Sequence, residues 1–378
     1  MVPGNKVIKI ALVYNTSSYL YRFRKELVES LHDSGFSVLA VVPDLEAQAK
    51  LEALGAECVR YRLSARSLNP VLDLITCCDL ARIFNKHKPQ IVLNFTIKPV
   101  LYGSIAARVA RIDGIYSMIP GLGHAFSGAN FLRRVLRKFV VLAYKIALHA
   151  NNQVFFQNSE DRALFIRNGI VAQEKAVRIN GSGVNLEDFR PSRIGARLNS
   201  FVLISRIFEE KGVRQYAEAA RILKKECTSA TFSIVGPIQD GGGVTKEDIA
   251  GWEREGIIEY PGEVEDVRPY LRECSVFVLP TFYREGVPRS IIEALAMGKP
   301  IITTDSPGCR ETVIDGENGY LIPAKDVDAL VNAMRRCLAA PDLVNRMGTA
   351  SRAIAVRKYD VHAINKVVMS SLTSPISR

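Results

Sequence analysis

The segment TFYREGVPRSIIEALAMGKPIITTD, residues 281–305, is the most informative stretch of the chain, because it predicts a polar loop, a helix and a new strand in direct succession. An apolar strand, Ser275–Pro280, precedes it. Pro288 and Ser290 predict the helix start, since proline suits the first turn and serine caps it. A glycine and a proline then end the helix, and Ile301–Thr304 begins the next strand. This order is typical of an α/β domain with a parallel sheet.

Two carboxylates lie eight residues apart in this segment, with Glu285 in the loop and Glu293 on the first turns of the helix. A helix N-terminus offers free N–H groups and the positive end of the dipole, which suit a phosphate. Carboxylates would repel a phosphate, so ribose and sugar hydroxyls are their expected partners. An ordinary turn with solvated carboxylates is the alternative. The candidate anion site is the loop backbone over Gly286, Val287, Pro288, Arg289 and Ser290.

The composition indicates a globular protein of two domains, since the chain has 378 residues and strands alternate with helices from end to end. The seven cysteines show no C-x-x-C spacing and no companion histidine cluster. This pattern favours a reducing compartment and disfavours a zinc site. No run of about 18 uncharged apolar residues occurs, so we expect no membrane-spanning helix.

The domain boundaries follow from the turn-rich stretch in the middle of the chain. We predict a first domain over residues 1–180, a linker over 181–199 and a second domain over 200–358. Residues 359–378 form a tail or a helix that packs back on the first domain. Ligands of such α/β domains bind at the carboxyl ends of strands, so we expect a cleft between the two domains.

The positive charge is concentrated in the first half. Residues 1–150 hold 20 Lys and Arg against 10 Asp and Glu, or +10 of the total +11. A predicted helix near residues 131–149 combines basic and apolar side chains, which suits an anionic membrane surface. A solubilising surface or an anionic ligand would explain the charge equally well. Nucleic acid is disfavoured, because no helix-turn-helix, zinc-finger or RNP pattern occurs.

A second candidate loop, SRIFEEKG over residues 205–212, also follows an apolar strand and precedes a helix. Its cations Arg206 and Lys211 lie in the same domain as Glu285. Two cations at the end of a sheet suit a diphosphate, which arginine can bind through two hydrogen bonds. A solvated basic loop is the alternative.

Two further features are weaker. His124 follows the strand Gly114–Ile119 on a glycine-flanked loop, where it would orient a hydroxyl or accept a proton, although a lone histidine is more often structural. Asp326 and Asp328 form a D-x-D pattern. Because they stand at a predicted helix start, we interpret them as helix-capping residues and assign no metal.

The spacing Glu285–Glu293 resembles the Glu-x7-Glu motif of retaining nucleotide-sugar glycosyltransferases of GT-B family 4. Arg206 and Lys211 fall on that family's Arg…Lys diphosphate pair, and Asn180–Phe189 is similar to its inter-domain linker. The chain departs from the family at Asn15–Ser18, where many relatives carry two glycines near the donor phosphates.

This resemblance implies a GT-B fold of two Rossmann-like domains facing a central cleft. It implies retaining transfer from a UDP-sugar to an undecaprenyl-diphosphate-linked saccharide, with an N-acetylhexosamine such as GalNAc as the sugar. The implied catalytic residues are Glu285, His124, Arg206 and Lys211, and the implied ribose ligand is Glu293. No metal or other cofactor is expected, and the expected location is the cytoplasmic face of the inner membrane, in peripheral contact with anionic lipid. A soluble or different lipid acceptor, a sugar-nucleotide epimerase and a non-catalytic nucleotide-sugar-binding protein are the alternatives.

Overall fold

The protein is described by a computed structural model over residues 7–64, 69–123, 131–191 and 198–373, with only the backbone described for 131–137. The chain forms two compact units. Unit 1 comprises Met1–Ser182 and Val361–Arg378, and unit 2 comprises Gly183–Asp360.

Unit 1 contains a seven-stranded parallel sheet in the order β3-β2-β1-β4-β5-β6-β7. Its strands are β1 (Lys9–Val13), β2 (Ser37–Val42), β3 (Ala56–Arg60), β4 (Ile91–Phe95), β5 (Gly114–Ile119), β6 (Gln153–Phe156) and β7 (Ala176–Arg178). The central strands are almost continuous apolar runs because helices cover both faces of the sheet. The helices are α1 (Ser17–Asp33), α2 (Gln48–Glu52), α3 (Pro70–His87), α4 (Ser104–Val109), α5 (Phe131–Leu148) and α6 (Ser159–Arg167), and a π-helical turn over Pro99–Gly103 precedes α4.

Unit 2 contains a six-stranded parallel sheet in the order β10-β9-β8-β11-β12-β13. Its strands are β8 (Ser200–Ile204), β9 (Thr231–Val235), β10 (Glu259–Gly262), β11 (Val276–Leu279), β12 (Ile301–Thr304) and β13 (Gly319–Ile322). Its helices are α7 (Val213–Glu226), α8 (Lys246–Arg254), α9 (Arg268–Glu273), α10 (Arg289–Ala296), α11 (Val327–Ala339) and α12 (Pro341–Lys358). The central strand β8 lies between β9 and β11, so the loops that follow β8 and β11 emerge side by side.

The last helix, α13 (Val361–Thr373), belongs to unit 1 and packs against α1. Its buried side chains Ile364, Val368 and Leu372 join the core on that face of the sheet. The two parallel sheets with their covering helices confirm the predicted fold class.

One local prediction was wrong. Ser290 does not cap the helix of the opening segment, because α10 begins at Arg289 and Ser290 lies inside its first turn. Pro288 occupies the N-cap position, in extended backbone and without a side-chain cap hydrogen bond. The first-turn N–H groups of α10 therefore receive no side-chain oxygen from the cap residue.

Candidate active site

The loop between β8 and α7 carries Lys211 and is fixed against the end of β11. Gly212 has φ +76°, and a Cβ atom there would lie 2.1 Å from the carbonyl oxygen of Pro280, so only glycine fits. The carbonyl oxygen of Glu210 accepts hydrogen bonds from Phe282 N at 2.8 Å and Tyr283 N at 3.0 Å. The convergence of the two loops at the carboxyl edge of this sheet is therefore built into their backbones.

Lys211 and Glu285 form an ion pair between these loops. Their side chains are only 10% and 12% exposed, so little water screens the pair. Sequence reasoning gave these residues separate partners, a phosphate and a sugar hydroxyl. In the structure they pair with each other.

Arg206 lies in the same loop as Lys211 but has different partners. One guanidinium nitrogen donates to Gln239 Oε1 at 3.2 Å, and the guanidinium carbon lies 5.5 Å from the ring centre of Phe208. The same ring lies 5.6 Å from Lys211 Nζ. Arg206, Lys211 and Glu285 are thus brought together in one site.

Glu293 lies on α10 and has a partner that sequence reasoning missed. Arg289 Nε donates to Glu293 Oε1 at 2.9 Å, and another Arg289 nitrogen donates to the carbonyl oxygen of Gly183 at 2.6 Å. The helical spacing of four residues between an arginine and a glutamate was the available signal. The side chain of Arg289 therefore orients Glu293. This role is separate from the predicted part of the Arg289 backbone in the anion site.

The start of α10 is closely packed from the neighbouring loop. Gly308, in the loop after β12, has φ +81°, and a Cβ atom there would lie 1.7 Å from the carbonyl oxygen of Gly286. Next to it, burial and then the charge of Glu285 raise the pKa of the Cys309 thiol to about 12. Cys309 is therefore a neutral thiol near neutral pH and is not a nucleophile.

The first loop of unit 1, Asn15–Ser18, is part of a helix start. Thr16 caps α1 by accepting a hydrogen bond from Tyr19 N at 3.1 Å. Ser17 N donates to the carboxylate of Asp44 at 3.2 Å, which joins the loops after β1 and β2. Two of the polar residues at the place of the family's glycines thus bind outside this segment, Thr16 to the first turn of α1 and Ser17 to the loop after β2.

The remaining predictions concern His124, the helix-capping aspartates, a metal site and a membrane-spanning helix. His124 lies outside the described residues, so its predicted role stays a prediction. Asp326 caps α11 by accepting from Ala329 N at 2.8 Å, as expected of a capping residue. Among the described residues, no group of three or more His, Cys, Asp and Glu side chains is placed to hold a metal ion. Within the same ranges, no helix is long and apolar enough to cross a membrane.

Comparison with known proteins covers both units. The model of the family "Glycosyl transferases group 1" matches residues 199–340, and that of "Glycosyl transferase 4-like" matches residues 9–158. The chain is 27% identical over 336 residues to N,N'-diacetylbacillosaminyl-diphospho-undecaprenol alpha-1,3-N-acetylgalactosaminyltransferase of Campylobacter jejuni, covering 85% of this chain and 87% of that protein. It is also 27% identical over 288 residues to UDP-Gal:alpha-D-GlcNAc-diphosphoundecaprenol alpha-1,3-galactosyltransferase of Escherichia coli, covering 72% of each chain.

The fold matches that of a solved structure over almost the whole chain. HepE of Anabaena, crystallised with UDP and glucose, superposes with a TM-score of 0.78 at 18% identity, covering 97% of this chain and 100% of that one. The likeness extends over both parallel-sheet units.

Proposed function

We propose that this chain, which belongs to the group 1 glycosyltransferases and has their GT-B fold, transfers a sugar from a UDP-sugar to an undecaprenyl-diphosphate-linked saccharide. The observation that carries this proposal is the convergence of Arg206, Lys211 and Glu285 on two adjacent loops at the carboxyl edge of the unit 2 sheet. Two cations and a carboxylate suit a diphosphate joined to a polyhydroxylated sugar. The Campylobacter and Escherichia relatives, whose names specify lipid-linked acceptors, support the acceptor class. We propose an N-acetylhexosamine such as GalNAc as the sugar, which the name of the Campylobacter relative supports, whereas that of the Escherichia relative specifies galactose.

In this proposal the donor binds mainly to unit 2. Lys211 and Arg206 contact the diphosphate, together with the backbone of residues 286–290 at the start of α10. Glu285 leaves Lys211 and accepts hydrogen bonds from sugar hydroxyls. Glu293, oriented by Arg289, accepts hydrogen bonds from the ribose. His124 would position the donor sugar or the acceptor hydroxyl.

The chemical role of the cations follows from the charge that develops on the leaving UDP. As the bond between the anomeric carbon and the phosphate oxygen breaks, negative charge grows on the β-phosphate. Lys211 is poorly solvated before the donor arrives, so it acts with little screening and without reorganisation of water. Removing such a cation costs about 2–4 kcal/mol of transition-state stabilisation. We further propose that the acceptor hydroxyl attacks the anomeric carbon on the same face that UDP leaves, so that the configuration is retained, and that its proton passes to the leaving phosphate oxygen. The proposed transfer needs no metal ion.

The proposed acceptor is attached to a lipid, so we propose that the enzyme binds it at a membrane surface. The charge of unit 1 favours this location. Residues 80–159 hold 11 Lys and Arg but a single acidic residue, Asp113. This stretch alone therefore carries almost the whole net charge of the protein. A surface of this sign is attracted to anionic lipid headgroups and to a lipid diphosphate. We propose peripheral contact with the cytoplasmic face of the inner membrane.

Helix α5 presents the apolar side chains that such contact needs. Phe139, Leu142 and Ile146 are 65%, 54% and 59% exposed and share one face of the helix, with exposed Lys138 and Lys145 beside them. Replacing Phe139 and Leu142 by serine should lower co-sedimentation with anionic vesicles. Serine at an equally exposed valine of unit 2, Val356, is the matched control. Equal sedimentation of all variants would remove α5 from the proposed contact.

The experiment that tests the proposed function is release of UDP from a panel of UDP-sugars, with and without a short-chain polyprenyl-diphosphate saccharide. We expect acceptor-dependent release from one or a few sugars of the panel. Release only with soluble saccharides would replace the proposed acceptor. If no sugar nucleotide is turned over with any acceptor, the proposed activity is wrong.

A further inference from the structure

Two aromatic rings surround the cations of the candidate site and have no assigned role in it. Phe208 lies in the loop after β8, and Tyr283 lies in the loop after β11. We propose that these two residues, the aromatic corner, are positioning residues that hold Lys211 and Arg206 at the diphosphate of the donor. This inference rests on the proposed function, because it concerns how the same site binds UDP.

The geometry of the aromatic corner is that of a cation-binding pocket. The two rings meet edge to face, with centroids 5.4 Å apart and planes at 85°. Lys211 Nζ lies 5.6 Å from each centroid, so it occupies the angle between the rings. The Arg206 guanidinium lies 5.5 Å from the Phe208 ring, which therefore contacts both cations. All of these distances are within the range of about 6 Å over which a ring attracts a cation.

Aromatic rings suit this position because they attract a cation without carrying a net charge of their own. A carboxylate holds a lysine by neutralising it, which removes the charge that the diphosphate needs. When Glu285 turns to the sugar hydroxyls, Lys211 loses that partner. The faces of Phe208 and Tyr283 then keep its ammonium group in position while leaving its full charge for the phosphates. Preorganised charge of this kind is what stabilises a leaving group.

The Phe208 ring is itself held by the glycine-rich loop between β9 and α8. A Cβ atom at Gly242 would lie 2.6 Å from Phe208 Cβ, so a side chain at this position would push against the base of the Phe208 side chain. Glu209 N donates to the carbonyl oxygen of Gly242 at 2.7 Å, and Gln239 N donates to that of Ile207 at 2.9 Å. Gly242 thus gains a role, because the absence of a side chain there lets this loop pack against the segment that carries Arg206 and Lys211.

The Tyr283 ring is fixed from the other side. Its backbone N–H donates to the carbonyl oxygen of Glu210 at 3.0 Å and to Thr281 Oγ1 at 3.2 Å. Both rings are therefore attached to the same backbone that sets the position of Lys211. Neither ring needs to reach the sugar or the nucleotide to influence binding.

The test compares the affinities of Phe208→Leu and Tyr283→Leu for UDP and for uridine, measured by titration calorimetry. Uridine has the same base and ribose but no phosphate, so only UDP binding depends on the cations. We expect each variant to bind UDP about five- to thirty-fold more weakly, from the usual strength of a partly desolvated cation–ring contact. Uridine affinity should change less than about two-fold, and Tyr283→Phe, which keeps the ring, should bind UDP like the wild type.

A matched control separates positioning from general packing. Phe232 stacks on Phe201 at 5.3 Å in the core of the same unit. Phe232→Leu should lower the melting temperature while leaving the affinity for UDP unchanged. Wild-type UDP affinity in Phe208→Leu, or an equal loss for UDP and uridine, would overturn the inference. Failure of the wild-type protein to bind UDP would instead overturn the proposed donor, and the inference with it.

Discussion

Replacing Lys211 by methionine should both destabilise unit 2 and abolish transfer, whereas adding Glu285→Gln should restore stability alone. In the single variant the carboxylate of Glu285, 12% exposed, is left without its cation. Opposite charges about 4 Å apart attract by about 4 kcal/mol at an effective dielectric constant of 20. Breaking a fully buried pair costs about 3–5 kcal/mol. Because both side chains keep some contact with water, we expect a loss of about 2–3 kcal/mol for Lys211→Met.

The assay is scanning calorimetry of the transition that unfolds unit 2. For a domain of this size, 1 kcal/mol lowers the melting temperature by about 2–4 °C, so the single variant should melt about 4–12 °C below the wild type. The double variant carries no unpaired charge and should return to within about 1 kcal/mol of wild type. Arg335→Met is the matched control, because it breaks a pair with Glu226 whose side chains are 45% and 43% exposed, and its melting temperature should stay close to that of the wild type.

The activities of the same variants complete the test. Both Lys211→Met and the double variant should lose at least about 100-fold in kcat/KM, since neither can stabilise the leaving diphosphate. Equal destabilisation of the single and double variants would show that Lys211 does not compensate Glu285. Transfer at the wild-type rate by the double variant would remove both residues from the mechanism.

Three further predictions concern backbone, pH and metal dependence. In urea unfolding, Gly212→Ala should destabilise unit 2 by clearly more than Gly256→Ala, for which we expect a loss of about 1–2 kcal/mol. Both glycines have positive φ, but only Gly212 faces the carbonyl oxygen of Pro280. Equal losses would contradict the steric argument. Hydrogen bonds from the Thr245 backbone and then from Arg214 hold the pKa of Asp248 below its usual value, so its stabilisation is present above about pH 3.9 and is lost as the pH falls through the lower folded-state pKa. Asp248→Asn should therefore lower the melting temperature more at pH 7 than at pH 2.5, and a constant difference at both values would argue against the linkage. Saturating EDTA should leave the initial rate of UDP release unchanged, and a loss that Mg²⁺ or Mn²⁺ restores would contradict the metal-free proposal.

Much of the fold could be predicted because its strands are buried on both faces. The strands Gly114–Ile119 and Ile301–Thr304, which are buried along their whole length, have the predicted bounds. Helix α8 was missed because its residues are mostly polar. Its capping box, formed by Thr245 and Asp248, was a usable sequence signal. The π-helical turn before α4 has no comparable signature, since it depends on packing around Asn94 and Gly103.

The candidate site was only partly predictable. Strand order cannot be read from one sequence, yet it is the adjacency of β8 and β11 that brings Lys211 to Glu285. Their spacing of 74 residues gives no local pattern. The conformation of Gly212 is similarly decided by a contact with a distant backbone oxygen. The aromatic corner was missed for the same reason, because Phe208 looks like an ordinary core residue until its two cations are seen.

The most direct test of the central claim is mass spectrometry of a short-chain polyprenyl-diphosphate saccharide after incubation with the protein and UDP-GalNAc or a related UDP-sugar. Transfer predicts that the acceptor gains the mass of one sugar residue while UDP appears in equal amount. The same reaction with Glu285→Ala, assayed below the lowered melting temperature expected from the loss of its ion pair with Lys211, should leave the acceptor unchanged. An unmodified acceptor with the wild-type protein under every donor, or full modification by Glu285→Ala, would contradict the account.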